Sequence, residues 1–380
     1  RQLSREGVRP RHGRRQTPRH AHTPGDNLTP NTHNDHTTPA PLHPGTPTVP
    51  FPSARWLTPL VLICLGCGGN EPAPEGDSEI VRPPTAVSLQ LNWFPEAEHG
   101  GFFAADVHKL YHDANLDVEI RPGGPGTQVV TQVATGRVLF GVTNADRVLV
   151  GQAAGAKTVA VMAAMQLSPR CVMVHENSGI SSLKELGQVG TLAVSSTATW
   201  SLFLQKTVDL DTVQLVPYAG NVSQFLLDDD FAQQGYSISE PFVARLQNAQ
   251  PRVLMVSDLG FNPYTSVLIT TPEVIRTQPK LVAAMVKASV AGWQQYLDNP
   301  GLANQAISAR NEDMGLPILA FGAKELKSLC STPETPRDEL GRMTEARWKT
   351  LLGQLVDVKV IDAGTVEVSE VFTNRFLDDH

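Results

Sequence analysis

Several large protein classes are excluded by what this 380-residue sequence does not contain. It has no Gly-x-Gly-x-x-Gly and no Gly-x-x-x-x-Gly-Lys-Ser/Thr, so neither a dinucleotide-binding turn nor a phosphate-cradling P-loop is favoured. Cysteines number four, too few for a disulfide framework. The longest apolar run near the N-terminus, Trp56 to Leu65, falls well short of the roughly 20 residues a spanning helix requires. Basic residues are scarce where they would matter. The first 67 residues hold eight arginines, no lysine and three acids, which leaves 23 basic and 35 acidic side chains, net −12, beyond them. So acidic a surface is a poor electrostatic fit to nucleic acid.

The chain opens as a different polymer. Residues 1–53 contain ten of the 29 prolines and six of the 11 histidines without apolar periodicity, and read as a disordered Pro/His-rich tail. An alternative translation start near Val49 would leave most of it unmade. No His spacing repeats, so no metal site is expected there. Residues 54–67 have the size of a signal-peptide core, with Arg55 before the apolar run. The run closes on Leu65-Gly66-Cys67, which resembles a bacterial lipobox and implies lipidation of Cys67; an ordinary secretory signal is the alternative. Residues 68–85 form a Gly-, Pro- and Glu-rich tether. Cys171 and Cys330 are left in the folded part. They could pair in an oxidising compartment, although Cys171 in the apolar CVMV reads as a buried thiol.

From residue 86 one unit recurs: a short apolar strand, a turn of small residues, a helix. VSLQLNW, LDVEI, VLFGV, GTLAV, VQLVP and GYSIS are each followed by a helical pattern, which predicts βαβ units and parallel sheets. TVAVMAAM and RCVMVH are further strands. The polar stretch 176–188 marks a boundary, and GFNPYTSVLITT reads as a loop and a strand returning to the first half. Past it the chain turns helical, with Leu281, Met285, Ala288, Val290 and Trp293 at helical spacing. The expectation is an α/β clamshell. Lobe 1 comprises 86–175 and 267–380, lobe 2 comprises 176–266, two crossings form the hinge, and the C-terminal helices close the first lobe.

In such a fold the cleft is lined by residues that follow the strands. These are Asn92, Trp93 and His99; Gly124 in the PGGPG loop; Asn144 and Asp146; Ser195, Thr197 and Trp200; Tyr218 and Asn221; Glu240; and Asn262 with Tyr264 in the return loop. Each has a plainer role open to it. Trp93, Trp200 and Tyr218 could be core. Ser195, Thr197 and Asn144 could cap helices. Glu240, between SIS and the helix-starting Pro241, could do the same, though Asp or Asn would cap better. Rings, amides and one carboxylate suit a flat heteroaromatic bearing amino groups, such as an aminopyrimidine. A sulfonate or nitrate would call for basic side chains or backbone N–H groups, and Arg147 and Lys157 are not convincingly aimed inward.

LQLNWFPEAEHGGFFAA, VEIRPGGPGTQVVTQVATGRVLFGVTNAD, SISEPFVA and NPYTSVL together resemble the solute-binding proteins of ABC importers for thiamine pyrimidine precursors. The wider family includes hydroxymethylpyrimidine synthases and binding proteins for sulfonates, nitrate and riboflavin. The likeness runs over roughly residues 86–355. It implies a type II periplasmic-binding-protein fold, capture of a small heteroaromatic, permease and ATPase subunits as partners, a lipid anchor on the outer face of the membrane, no nucleic acid, no cofactor and a monomer. By matched motif it carries Asn92, Trp93, His99, Glu240, Asn262 and Tyr264 over as ligand-site candidates. A synthase-like enzyme is the alternative, in which His99 would be consumed, but the cysteine-rich iron motif of those enzymes has no counterpart here. In the binding reading Trp93 is a plate at the cleft edge, and Gly100-Gly101 lets the next helix begin close beneath the ligand.

Overall fold

The computed structural model describes residues 83–378; the tail, the signal and Cys67 lie outside them, as does most of the tether. The strands in chain order are β1 (Thr85–Gln90), β2 (Leu116–Arg121), β3 (Phe140–Thr143), β4 (Val159–Met165), β5 (Arg170–His175), β6 (Thr191–Val194), β7 (Gln214–Pro217), β8 (Phe231–Tyr236), β9 (Pro251–Met255) and β10 (Thr265–Thr270). The α-helices are α1 (Gly100–Val107), α2 (Leu110–Asp113), α3 (Val129–Ala134), α4 (Ala145–Ala153), α5 (Thr199–Thr207), α6 (Ser223–Leu227), α7 (Glu240–Leu246), α8 (Pro272–Thr277), α9 (Pro279–Asp298), α10 (Gly301–Ser308), α11 (Leu316–Cys330) and α12 (Glu345–Asp357).

Two five-stranded sheets result, β2-β1-β3-β10-β4 and β7-β6-β8-β5-β9. Every residue of β4 and of β10 is buried, as near-continuous apolar runs in a sheet covered on both faces should be. Contrary to the sequence expectation, neither sheet is wholly parallel. β10 runs antiparallel to β3 and β4, and β5 antiparallel to β8 and β9. The reason is the hinge. β5 and β10 are the strands that begin immediately after a crossing, so their N-termini lie at the hinge and they must run away from it. The same pairing corrects the predicted boundary after residue 175: β5 belongs to the second sheet, and the first crossing lies between Met165 and Arg170.

Both crossings are held by side chains. Asn262 accepts from the Ser168 N–H at 2.8 Å through Oδ1 and donates through Nδ2 to the Gln166 carbonyl at 3.3 Å. Arg347, on α12, donates to the same Gln166 carbonyl at 2.7 Å and to the Asn262 carbonyl at 3.0 Å. Its guanidinium lies 3.7 Å from the centre of the Tyr264 ring, and the Tyr264 hydroxyl accepts from the Thr344 N–H. An apolar core continues past the hinge, from Val148 and Leu149 in the first lobe through Phe261 and Trp348 to Leu192 and Leu204 in the second.

The far face of the first sheet is covered by α1 packed on α9. A Cβ built on Gly100 would lie 2.0 Å from the Tyr296 ring, and one on Gly101 2.1 Å from the Trp293 ring. Gly292 on α9 has its own Cβ position 2.3 Å from the Gly101 carbonyl oxygen. The glycine pair therefore serves helix packing against two buried aromatics. That packing role is not part of the sequence reading of the pair. Cys171 and Cys330 are both free and fully buried, and burial pushes both thiols well above their ordinary value.

Gly101→Ala is expected to cost about 1–3 kcal/mol, because the methyl can be admitted only by moving Trp293. Gly353→Ala, where a Cβ on the exposed face of α12 meets nothing within 4 Å, should instead gain about 0.4–1 kcal/mol. Thermal melts of the two variants check both signs.

Candidate functional site

The first polar cluster forms where β1 ends. Asn92 donates through Nδ2 to Glu98 Oε1 at 2.8 Å, and its Oδ1 lies 3.0 Å from His99 Nε2. His99 is fully buried. Its Nδ1 accepts from the Glu96 N–H at 3.3 Å, so the ring proton sits on Nε2, which also lies 3.1 Å from Glu98 Oε1. The Glu96 carboxylate accepts from the His99 N–H, closing a reciprocal box over the turn Ala97–His99. From β10, Ser266 reaches the Glu98 carbonyl with its hydroxyl. Ser266 pays for this with φ +50°, a left-handed conformation that a serine in a strand adopts only under constraint, at a cost of order 1–3 kcal/mol. Glu98 is thus fixed at both backbone and side chain. Trp93 and Phe94 project outward, 38% and 47% exposed, edge to face with centroids 5.5 Å apart. Exposure on that scale removes the core reading of Trp93.

Opposite, the second lobe contributes Arg170, Tyr236, Thr199 and Trp200. Asn144 stands at the N-cap of α4 without capping it; its Nδ2 instead donates to the Tyr236 hydroxyl at 3.3 Å. Asp146 Oδ2 accepts from the Thr199 hydroxyl at 2.6 Å. Both bonds join one lobe to the other. Glu98 Oε2, Asn144 Oδ1 and Asp146 Oδ1 are buried and accept no hydrogen bond from the described residues. Buried acceptors left in that condition are uncommon and costly.

The remaining candidates are placed as follows. Gly124 packs against the Phe94 ring, and Gly123 against the backbone of Leu91 to Trp93, so the PGGPG loop supports the aromatic pair. Ser195 and Thr197 are exposed on the β6–α5 loop, and neither caps α5. Asn221 is exposed and its Oδ1 accepts from the Ser223 N–H, a turn bond at the start of α6. Tyr218 donates its hydroxyl to Glu240 Oε1 at 2.9 Å. Glu240 Oε2 accepts from the Tyr236 N–H at 2.8 Å and from the Ser239 hydroxyl, so the carboxylate anchors the β8–α7 turn as well as Tyr218. Asn262 and Tyr264 are occupied in the hinge; Tyr264 is 2% exposed and covered by Arg347.

Arg170 is a basic residue absent from the sequence candidates, as is its aromatic neighbour Tyr236; its other aromatic neighbour, Trp200, is among them. The sequence reading looked for site residues at strand ends, whereas β5 enters from the hinge and presents its first residue. Two charge effects follow from this crowding. Burial, reinforced by Glu98 and Glu240, holds the Glu96 carboxyl well above its usual range despite Arg170. Burial also opposes ionisation of Glu98, but His99, the Asn92 amide and Arg170 outweigh it and hold that carboxyl low. No group of three or more His, Cys, Asp or Glu could hold a metal ion among the described residues. Two open cavities lie nearby. One of about 370 Å³ touches Tyr218, Asn221 and Gln233. The other, about 640 Å³, lies behind the hinge between α7, β9 and α11. Asn92, Glu98, Asn144 and Asp146 border neither.

Residues 96–303 match the family described as NMT1/THI5 like. The chain belongs to that family. It is 21% identical to the 4-amino-5-hydroxymethyl-2-methylpyrimidine phosphate synthase of Legionella pneumophila, over 77% of this chain and 92% of that one. It is 23% identical to the riboflavin-binding protein RibY of Chloroflexus aurantiacus, over 84% and 95%. The periplasmic aliphatic sulphonate-binding protein SsuA of Escherichia coli superposes with a TM-score of 0.57 at 14% identity, over 76% of this chain and 91% of that one. The two-lobed architecture of this NMT1/THI5-like chain is therefore a periplasmic-binding-protein fold.

Glu96 carries a pH prediction. Its carboxyl keeps its proton to higher pH in the fold than in the unfolded chain, so its contribution is full below the ordinary carboxylate range and is lost as pH rises through the raised value. Glu96→Gln keeps the acceptor and cannot ionise. Thermal melts from about pH 5 to about pH 9 should show the variant gaining on wild type as pH increases; parallel curves would contradict the assignment.

Proposed function

We propose that this chain is an extracytoplasmic solute-binding protein, anchored through a lipid on Cys67, that captures a small heteroaromatic molecule of the aminopyrimidine kind between its lobes and delivers it to an ABC importer. The observation that carries this reading is the set of three buried oxygens without a hydrogen bond, Glu98 Oε2, Asn144 Oδ1 and Asp146 Oδ1. All three belong to the first lobe, and the residues of two of them, Asn144 and Asp146, also bond the second lobe. A ligand with several N–H groups supplies the protons they lack and becomes the reason for the lobes to close. Trp93 offers an exposed aromatic face at the rim, and Asn92 and His99 orient Glu98 from behind.

Binding is favoured over a reaction that consumes His99. That ring is fully buried and both its nitrogens are engaged, by the Glu96 N–H on one side and by Asn92 and Glu98 on the other. Its geometry suits holding a carboxylate in place. The pyrimidine named for the Legionella relative and the flavin named for the Chloroflexus relative are both flat N-heterocycles, which supports the ligand class without selecting a member.

Thermal shift of protein refolded from denaturant, with 4-amino-5-hydroxymethyl-2-methylpyrimidine, riboflavin, taurine and nitrate, tests this. A true ligand at 100 times its Kd adds about 2.7 kcal/mol, a shift of several degrees. A shift with a flat heterocycle is expected; a shift with nitrate alone would refute the donor-bearing ligand. Trp93→Ala should weaken binding by about 1–3 kcal/mol, the usual worth of a base stacked on an aromatic ring, while leaving the melting temperature nearly unchanged. Cys67→Ala should move the protein from the membrane fraction to the soluble one.

A further inference from the structure

Arg170 opens β5, and because β5 starts at the hinge its side chain is delivered to the face between the lobes. The guanidinium carbon lies 4.1 Å from the centre of the Tyr236 ring and 5.4 Å from that of Trp200. Two aromatic faces hold the plane of the cation, and Tyr236 is itself held from the first lobe by Asn144. The charge of Arg170 acts on both Glu96 and Glu98. Yet among the described residues the guanidinium forms no ion pair and donates no hydrogen bond, and of the neighbouring carboxylate oxygens Glu98 Oε2 is likewise left without a partner. Glu98 Oε1 is held by Asn92 and His99. Glu240 is held by Tyr218, Ser239 and the Tyr236 N–H. Glu96 closes its own turn.

Among the described residues the half-buried guanidinium thus presents five N–H donors with no acceptor, while Glu98, Asn144 and Asp146 present buried acceptors with no donor. A bare cation would satisfy the acceptors and leave Arg170 unpaired. A bare anion would satisfy Arg170 and meet Glu98 and Asp146. Only a ligand with both kinds of group completes the set. We propose that Arg170 is a specificity-determining residue for an oxyanion on the ligand, so that the molecule bound carries N–H donors at one end and a carboxylate, sulfonate or phosphate at the other. The planar fork of the guanidinium matches such a group in two parallel bonds. This rests on the cleft being the ligand site and goes further by fixing the charge pattern of what enters it.

Calorimetric titration with two matched pairs tests it: 4-amino-5-hydroxymethyl-2-methylpyrimidine against its phosphate ester, and ethanolamine against taurine. Wild type should bind the oxyanion member of at least one pair about tenfold tighter, or more. Arg170→Gln should cut the advantage of the oxyanion member to within about twofold. Arg170→Lys, which keeps charge but not the fork, should fall between them, and melting curves verify that both variants are folded. Equal affinity for both members in wild type, or equal weakening of both by Arg170→Gln, would overturn the inference and leave the cleft reading intact. Absence of heat with all four compounds would contradict the cleft reading and this inference with it.

Discussion

One guanidinium holds the two passages of chain on which the molecule turns. Arg347 bonds the Gln166 carbonyl on the first crossing and the Asn262 carbonyl on the second, with Tyr264 packed flat beneath it. Because the crossings are clamped together, the strands that leave them, β5 and β10, must start at the hinge and run outward. This is why each sheet contains one strand of opposite sense. It is also why Arg170 and Ser266, near the beginnings of those strands, arrive beside residues that come from strand ends. The helix supplying Arg347 belongs to the C-terminal segment and also packs against α4 and α5, so that segment is coupled to both lobes as well as covering the first.

Given that frame, the chemistry between the lobes is a matter of unequal supply. Glu98, Asn144 and Asp146 bring more buried acceptors than the protein provides donors for. Arg170 brings donors that meet no acceptor among the described residues. A fold selected for stability alone would pair these groups, since an unpaired buried polar atom costs about 1–3 kcal/mol. The strained backbone of Ser266 points the same way: local energy is spent on fixing Glu98. Unpaired donors and acceptors arranged to face each other across a hinge are what ligand-driven closure requires.

Much of this was legible in the chain. The alternation of strands and helices announced two α/β lobes, and the NWFPEAEH stretch announced site candidates, because a strand that ends in Asn92 and Trp93 and is followed by two acids and a histidine places polar and aromatic groups where ligands sit. Other parts were not legible, for physical reasons. The direction of β5 depends on where the chain crosses, which local sequence does not encode, so Arg170 looked like the edge of an apolar run. Glu240 looked free because its partners Tyr218 and Ser239, and the Tyr236 N–H, meet it only in the folded turn. The Gly100-Gly101 pair looked like a ligand approach because Trp293 and Tyr296, which need the space, lie nearly 200 residues away. Asn262 and Tyr264 followed a motif whose hinge role appears only when Arg347 is placed beside them.

The central claim is that the buried acceptors between the lobes are completed by a small molecule. The most direct measurement is a crystal structure of protein purified natively, without unfolding. The account predicts density for one donor-bearing molecule within hydrogen-bonding distance of Glu98 Oε2, Asn144 Oδ1 and Asp146 Oδ1. Ordered water alone at those three atoms, with a bound molecule seated instead beside Tyr218 and Gln233 or behind the hinge against α11, would contradict it.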